Sequence, residues 1–237
     1  MSNRLLITIA ILGGTGKEGK GLAFRWARAG YKIIIGSRAP EKAAAAAEEL
    51  KALLAADTSA PPSDSASETF FSIQGTDNLS AAQQADIVAL TVPYAAHRET
   101  LEAVKDALKG KILVDVVVPL VAPKLSTVHM PPAGSAAQEA REILGKGTQI
   151  VDAFQNVSYE YLMGNDDVQC DVLVTGTSKE ARAEVLKLVK AAGLTGWDVG
   201  PLENSSVVEG MTSLLIYMNK QYGSTHAGIK ITGIAKR

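Results

Sequence analysis

Apolar positions along this chain come in short blocks separated by segments of mixed character. RLLITIAIL (4–12), YKIIIGSR (31–38), DIVALTVP (86–93) and KILVDVVVP (111–119) are apolar almost throughout. Blocks of this kind suit strands buried on both faces, as in a parallel sheet covered by helices. TFFSIQG (69–75) and TQIVDAFQNV (148–157) add a third and a sixth strand. Between them lie helical patterns: GLAFRWARAG closing at Gly30, PEKAAAAAEELKALLAA with Pro40 in its first turn, LSAAQQA (79–85), Tyr94 to Leu108, and 135–145. Repeated strand–helix units predict an α/β, Rossmann-type doubly wound parallel sheet over residues 1–152.

The remainder, 153–237, reads as a small C-terminal α/β domain that closes one side of a cleft. It carries a strand-like CDVLVTG (170–176), a helix from Ser178 to Ala192, an extended GWDVGPL and an apolar helix over 204–223. The Ser- and Pro-rich stretch 57–68 reads as a loop. The first apolar run is too short to span a bilayer and enters a glycine loop directly, so it reads as a core strand and not a leader. With no longer apolar segment, the expected place is the cytoplasm.

Charge and composition narrow the partners. Net charge is −1, which gives no bulk attraction to nucleic acid or anionic membrane. The chain has one cysteine, Cys170, so no internal disulfide forms, and no Cys/His pattern suggests a metal. The expected partners are small molecules.

The chemistry starts at ILGGTGKEGKG (11–21). Gly14, Gly16 and Gly19 satisfy G-x-G-x-x-G after a strand and before a helix, the context in which backbone N–H groups and a helix N-terminus hold a pyrophosphate. At the end of the second strand an NAD site would place an acid for the ribose 2′-hydroxyl. This chain has GSR, with no acid between Tyr31 and Pro40. Ser37 can donate to a 2′-phosphate, Arg38 can pair with it, and Lys42 adds a second cation, a pattern that selects NADP(H).

These residues resemble the NADPH-dependent F-420 reductases, also called F-420H2:NADP oxidoreductases. The likeness runs from LGGTGKEGKGLAFRWARAGYKIIIGSRAPEKA through ADIVALTVP, VVPLVAPK, PPAGSAAQEAREIL and IVDAFQNVS to VGPLENSSVVEGMTSLLIYMN and GIKITG. The resemblance implies direct hydride exchange between NADP(H) and the deazaflavin coenzyme F-420, with both rings in the cleft. It implies NADP contacts at Thr15, Gly16, Lys17, Glu18, Ser37, Arg38 and Lys42. It places the nicotinamide end along Thr91, Val92, Pro93, Pro119, Leu120 and Val121.

Hydride transfer between two bound rings needs no protein nucleophile, and none stands out. Of the three histidines, His97 is the best placed near the cofactor. Many relatives carry a histidine where this chain has Gln155, a candidate substrate-orienting residue. Gln155, Asn156, Val157 and Tyr159 are expected to line the second-substrate site. Tyr159 and Tyr161 either reshape that pocket or pack the second domain. The change at Gln155 keeps open another acceptor (a flavin, a small carbonyl or an imine), and a non-catalytic NADPH sensor is the third reading. The C-terminal helix has more apolar residues than one face needs, which fits either a homodimer contact or a wholly buried helix.

Overall fold

The computed structural model describes residues 7–56, 72–163 and 168–234. Its strands are β1 (Thr8–Leu12), β2 (Lys32–Ser37), β3 (Ile73–Asp77), β4 (Ile87–Leu90), β5 (Ile112–Asp115), β6 (Gln149–Asp152), β7 (Asp171–Gly176) and β8 (Thr195–Pro201). Its helices are α1 (Lys17–Arg28), α2 (Pro40–Ala56), α3 (Asn78–Gln84), α4 (His97–Val104), α5 (Ala136–Leu144), α6 (Tyr159–Leu162), α7 (Lys179–Ala191) and α8 (Ser205–Tyr222). The expected loop at 57–68 and the chain before Ile7 lie outside the described residues.

The strands form one sheet in the order β3-β2-β1-β4-β5-β6-β7-β8. All neighbours are parallel except β6 and β7, which pair antiparallel at Val151↔Gly176 and Asp152↔Thr175. The first six strands have the doubly wound dinucleotide-fold order, with its reversal between β1 and β4. Residues beyond 152, expected as a smaller second unit, add β7 and β8 to the far edge of this same sheet.

Alternation along β1 explains why the runs are apolar throughout. Ile9 and Ile11 join the core on one face, with Trp26, Phe24 and Val172, while Ala10 and Leu12 join the other, with Val88, Leu101 and Leu113. Two apolar runs extend further than their strands. The ladders of β4 and β5 stop at Leu90 and Asp115, and the apolar residues beyond them turn over the end of the sheet. Beyond β5, Val116 and Val117 stay buried, one in each core layer, and also line the cleft; beyond β4, Val92 is half-buried and Pro93 exposed. The helix expected from Tyr94 to Leu108 is α4 with a single tighter turn at each end.

Local signals set the helix ends. After α1, Gly30 takes φ +91°, its N–H donates to Ala27 O, and Tyr31 N–H donates to Trp26 O, so two terminal carbonyls are satisfied. Ser135 and Ser178 accept from Gln138 N and Ala181 N at the starts of α5 and α7.

Arg25 ties the two halves of the chain together. Its guanidinium is buried and donates to Leu162 O (3.0 Å), Ala192 O (3.2 Å) and Tyr161 O (2.5 Å), satisfying carbonyls at the ends of α6 and α7. Beside it Trp26 Nε1 donates to Leu188 O, and the Trp26 ring meets Phe154 edge-on at 5.8 Å. Through these contacts α1, which follows the glycine loop, also fixes the segment that forms the opposite cleft wall.

Candidate active site

A cleft of about 770 Å³ opens at the C-terminal ends of β1, β2, β4, β5 and β6, at the point where the strand order reverses. This is where doubly wound sheets bind ligands. The structure brings Thr15, Gly16, Lys17, Glu18, Ser37, Arg38, Thr91, Val92, Pro93, Leu120, Gln155, Asn156, Val157 and Tyr159 to its wall.

The three glycines do different work. A Cβ on Gly14 would sit 2.7 Å from Ile11 O, and one on Gly19 would sit 2.7 Å from Gly14 Cα and Thr91 Oγ1. Those two lie beneath the loop, where helix and strand backbones touch. Gly16 differs: its nearest neighbour to an added Cβ is 3.6 Å away, and φ −76°, ψ 165° suits any residue. Nothing among the described residues requires glycine at 16. The space it leaves is on the cleft side, at the N-cap of α1, whose first turn has no side-chain cap. Bare N–H groups, the helix field and a missing side chain together fit a pyrophosphate.

At the end of β2, Ser37 is buried and its Oγ accepts from Ala39 N (3.2 Å), which leaves the hydroxyl hydrogen to donate. Arg38 follows, exposed on the cleft rim. Asp77 is opposite Ser37 in register, but its carboxylate accepts from Ser80 N (2.8 Å) to cap α3, and these hydrogen bonds hold its pKa down. Lys42 is exposed on the first turn of α2 and is not part of the cleft wall.

The other end of the cleft combines apolar strand ends with a few polar residues, Gln155 among them. Val116, Val117 and Leu120 follow β5, while Pro119 and Val121 are not among the lining residues. Gln155 is 6% exposed, and its Oε1 has no partner among the described residues. Asn78, whose Oδ1 accepts from Gly13 N at 3.4 Å, and Thr212, Leu215 and Asn219 of α8 also line the cleft and were not anticipated. A helix more than fifty residues away in sequence carries no local signal that it closes a site. Lys17 Nζ crosses the opening to donate to Tyr159 OH (3.3 Å) and lies 4.6 Å from the ring centroid.

His97 does not reach the cleft. It is fully buried, and its Nε2 is 2.8 Å from Asp115 Oδ2. As the first residue of α4 its ring meets the last residue of β5, beneath the lining. Burial opposes its protonation, but Asp115, with Glu139 and Glu209, outweighs that and raises its pKa. Two more buried acids stand nearby. Glu209 accepts from Ala136 N (2.7 Å) and Ala137 N (3.0 Å) at the start of α5, and Asp152 accepts from Gln155 Nε2 and Thr175 Oγ1. Burial pushes Glu209 up to about 8 and Asp152 well above the carboxylate range, the latter aided by Glu209 and Asp115. On the cleft wall Glu18, with Oε1 unpartnered, is likewise pushed by burial to about 8.

A doubly wound sheet with a glycine loop, a phosphate-ready strand end and an apolar inner pocket defines a nicotinamide dinucleotide oxidoreductase. Residues 8–119 match a family described as NADP oxidoreductase, coenzyme F-420-dependent. The chain is 41% identical over 231 residues to the F-420-dependent NADP reductase of Methanocaldococcus jannaschii, covering 95% of this chain and 98% of that one. It is 36% identical to that of Methanothermobacter marburgensis, again covering 95% and 98%. The chain belongs to the F-420-dependent NADP reductase family. The fold is also shared with a crystal structure of a protein from Arthrobacter sp. FB24, at TM-score 0.75 and 22% identity over 96% of this chain and 100% of that one. An imine reductase from Myxococcus stipitatus is similar at TM-score 0.60 and 16% identity, over 92% and 62% of the two chains.

Two outcomes are expected. Gly16→Ala leaves unfolding stability within about 0.5 kcal/mol of wild type while weakening NADP(H) binding about tenfold or more, whereas Gly19→Ala loses about 1–3 kcal/mol of stability by overpacking. Urea unfolding with parallel NADPH titration separates them, and equal stability losses would show that Gly16 is structural.

The second concerns pH. Carboxyls whose folded pKa is raised bind more protons folded than unfolded, so stability is present at low pH and lost as pH rises through the folded value. For Glu209 the window runs from its ordinary 4.5 to about 8. Unfolding free energy therefore falls from pH 5 to 8, by up to about 1.4 kcal/mol per pH unit for each group. Asp152→Asn, which can keep an acceptor toward Gln155 and a donor toward Thr175, flattens the slope. A rise in stability over this range would contradict the assignment.

Proposed function

We propose that the protein transfers a hydride between NADP(H) and coenzyme F-420. The observation that carries this is one cleft with two unlike ends in a member of this family. One end has bare helix N–H groups, Ser37 and Arg38; the other has apolar strand ends and the unpartnered Oε1 of buried Gln155.

When bound, the two cofactors supply the donor and acceptor carbons, and no protein nucleophile enters the reaction. The chain's part is positioning. Gly16 and the first turn of α1 hold the pyrophosphate, with Thr15, Lys17 and Glu18 around it. Ser37 and Arg38 read the 2′-phosphate, with Lys42 contributing charge from outside the wall. Thr91, Val92, Pro93 and Leu120 form an apolar floor for the nicotinamide and exclude water from the transfer path. Gln155, Asn156, Val157 and Tyr159 meet the second ring, and residues 153–237 close the cleft over both.

The site of action is the cytoplasm, in keeping with soluble small-molecule substrates; no helix among the described residues is long and apolar enough to cross a membrane. The working unit is a homodimer through α8. Val207, Leu214 and Met218 recur at helical spacing and are 64%, 54% and 45% exposed, a stripe that a second copy would cover.

Mixing the protein with NADPH and oxidised coenzyme F-420 is expected to give loss of the deazaflavin absorbance, far slower with NADH and absent with FMN. Arg38→Gln is expected to weaken NADPH about tenfold to a hundredfold with little change for NADH, since a charge-assisted hydrogen bond is worth about 1.5–3 kcal/mol. Rapid FMN reduction would assign another acceptor, and tight NADPH binding without any turnover would assign a sensor. Sedimentation is expected to show a dimer that Leu214→Glu converts to monomer; a monomeric wild type would remove the dimer.

A further inference from the structure

Gln155 is held more tightly than a surface-lining amide needs to be. Both of its Nε2 hydrogens are committed to the protein, one to Asp115 O at 2.8 Å and one to Asp152 Oδ1. Its backbone carbonyl accepts from Thr212 Oγ1 of α8 at 2.9 Å. Immediately before it, Phe154 sits at φ +78°, left-handed backbone that a bulky residue adopts only when its surroundings impose it. Those surroundings are visible: Phe154 is 1% exposed, packs on Trp26 and begins the turn closed by Val157 N–H to Phe154 O (3.1 Å). Strained backbone at this point aims the next side chain.

The amide cannot be turned over. Reversing it would set Oε1 against the Asp115 carbonyl oxygen, an acceptor facing an acceptor. Oε1 is therefore the amide atom left over, on a residue that is 94% buried and lines the cleft, and it has no partner among the described residues. A buried carbonyl oxygen left unsatisfied is costly, and one supplied with a donor by a ligand repays that cost on binding.

We infer that Gln155 is a fixed hydrogen-bond acceptor that selects ligands by an amide-type N–H at the reacting end of the cleft. A charged or tautomerising side chain there would accept or donate as its protonation changed; glutamine, wired as it is here, only accepts. Two groups in the proposed reaction carry such an N–H: the carboxamide of the nicotinamide and the imide N3–H of the deazaflavin. The inference rests on the reading of this cleft as the hydride-transfer site, and its test separates the two sources.

The test is binding, not turnover. Wild-type protein is titrated with NADP+ and with its 3-acetylpyridine analogue, which lacks the carboxamide N–H. It is titrated separately with oxidised deazaflavin and with the N3-methyl deazaflavin, both in the presence of NADP+. The inference expects one pair to differ by tenfold or more, and that pair names the source. In Gln155→Met, which has neither acceptor nor donor at the end of a similar length, the difference shrinks to threefold or less. Equal affinities within both pairs in the wild type overturn the inference with no variant required, as does a difference that survives in Gln155→Met. If no deazaflavin binds at all, the proposed second substrate fails, and the acceptor role of Gln155 is decided by the dinucleotide pair alone.

Discussion

The cleft depends on a close backbone crossing at the head of β1. Gly14, Gly19 and Thr91 meet there with so little space that a Cβ on either glycine would lie 2.7 Å from backbone or hydroxyl atoms. The contact sets the N-terminus of α1 directly beyond β1, where the order of strands reverses. From that placement follow the bare N–H groups for a pyrophosphate and the distance to Ser37 on one side and Thr91 on the other. It also carries Arg25 and Trp26 to the carbonyls of the C-terminal segment, so one helix sets both walls.

The inner end of the cleft obeys a different constraint. Hydride transfer needs a dry pocket, and a dry pocket makes charge expensive. Three acids nonetheless stand behind its lining. The structure reconciles these demands by giving every one of them donors: Ala136 and Ala137 N–H to Glu209, Val117 N–H and His97 to Asp115, and Gln155 and Thr175 to Asp152. Burial also raises the pKa of both Asp152 and Glu209. His97, which the sequence alone suggested as a cofactor neighbour, belongs to this internal balance. An imidazole between a carboxylate on β5 and another on α5 is a structural group, and only the packing of α4 on those elements reveals it.

Much of the architecture was legible because its causes are local. Short apolar blocks, caps at Ser135 and Ser178, Gly30 after α1 and the glycine loop all act within a few residues of themselves. What the sequence does not carry has non-local causes. Val116 and Val117 look like a continuation of β5 because residues that pack into the core past the end of a ladder are as apolar as those within it. The antiparallel joining of β7 to β6, which merges the C-terminal segment into the main sheet, has no signature in either strand.

The residues proposed for the phosphate end are set by the sequence itself. Gly14, Gly16 and Gly19 after a strand, then Ser37 and Arg38 with no acid, express chemistry carried by neighbouring residues on two consecutive strand ends. The reacting end was decided only by the tertiary structure. That Gln155 presents an oxygen and not a nitrogen depends on Asp115, forty residues earlier, and on Asp152 turned toward it. Which walls complete the pocket depends on α8 reaching back to the turn that follows β6. A side chain's identity is written in the chain, but the atom it presents to a ligand is fixed by the partners that claim the others, and those are brought together by folding.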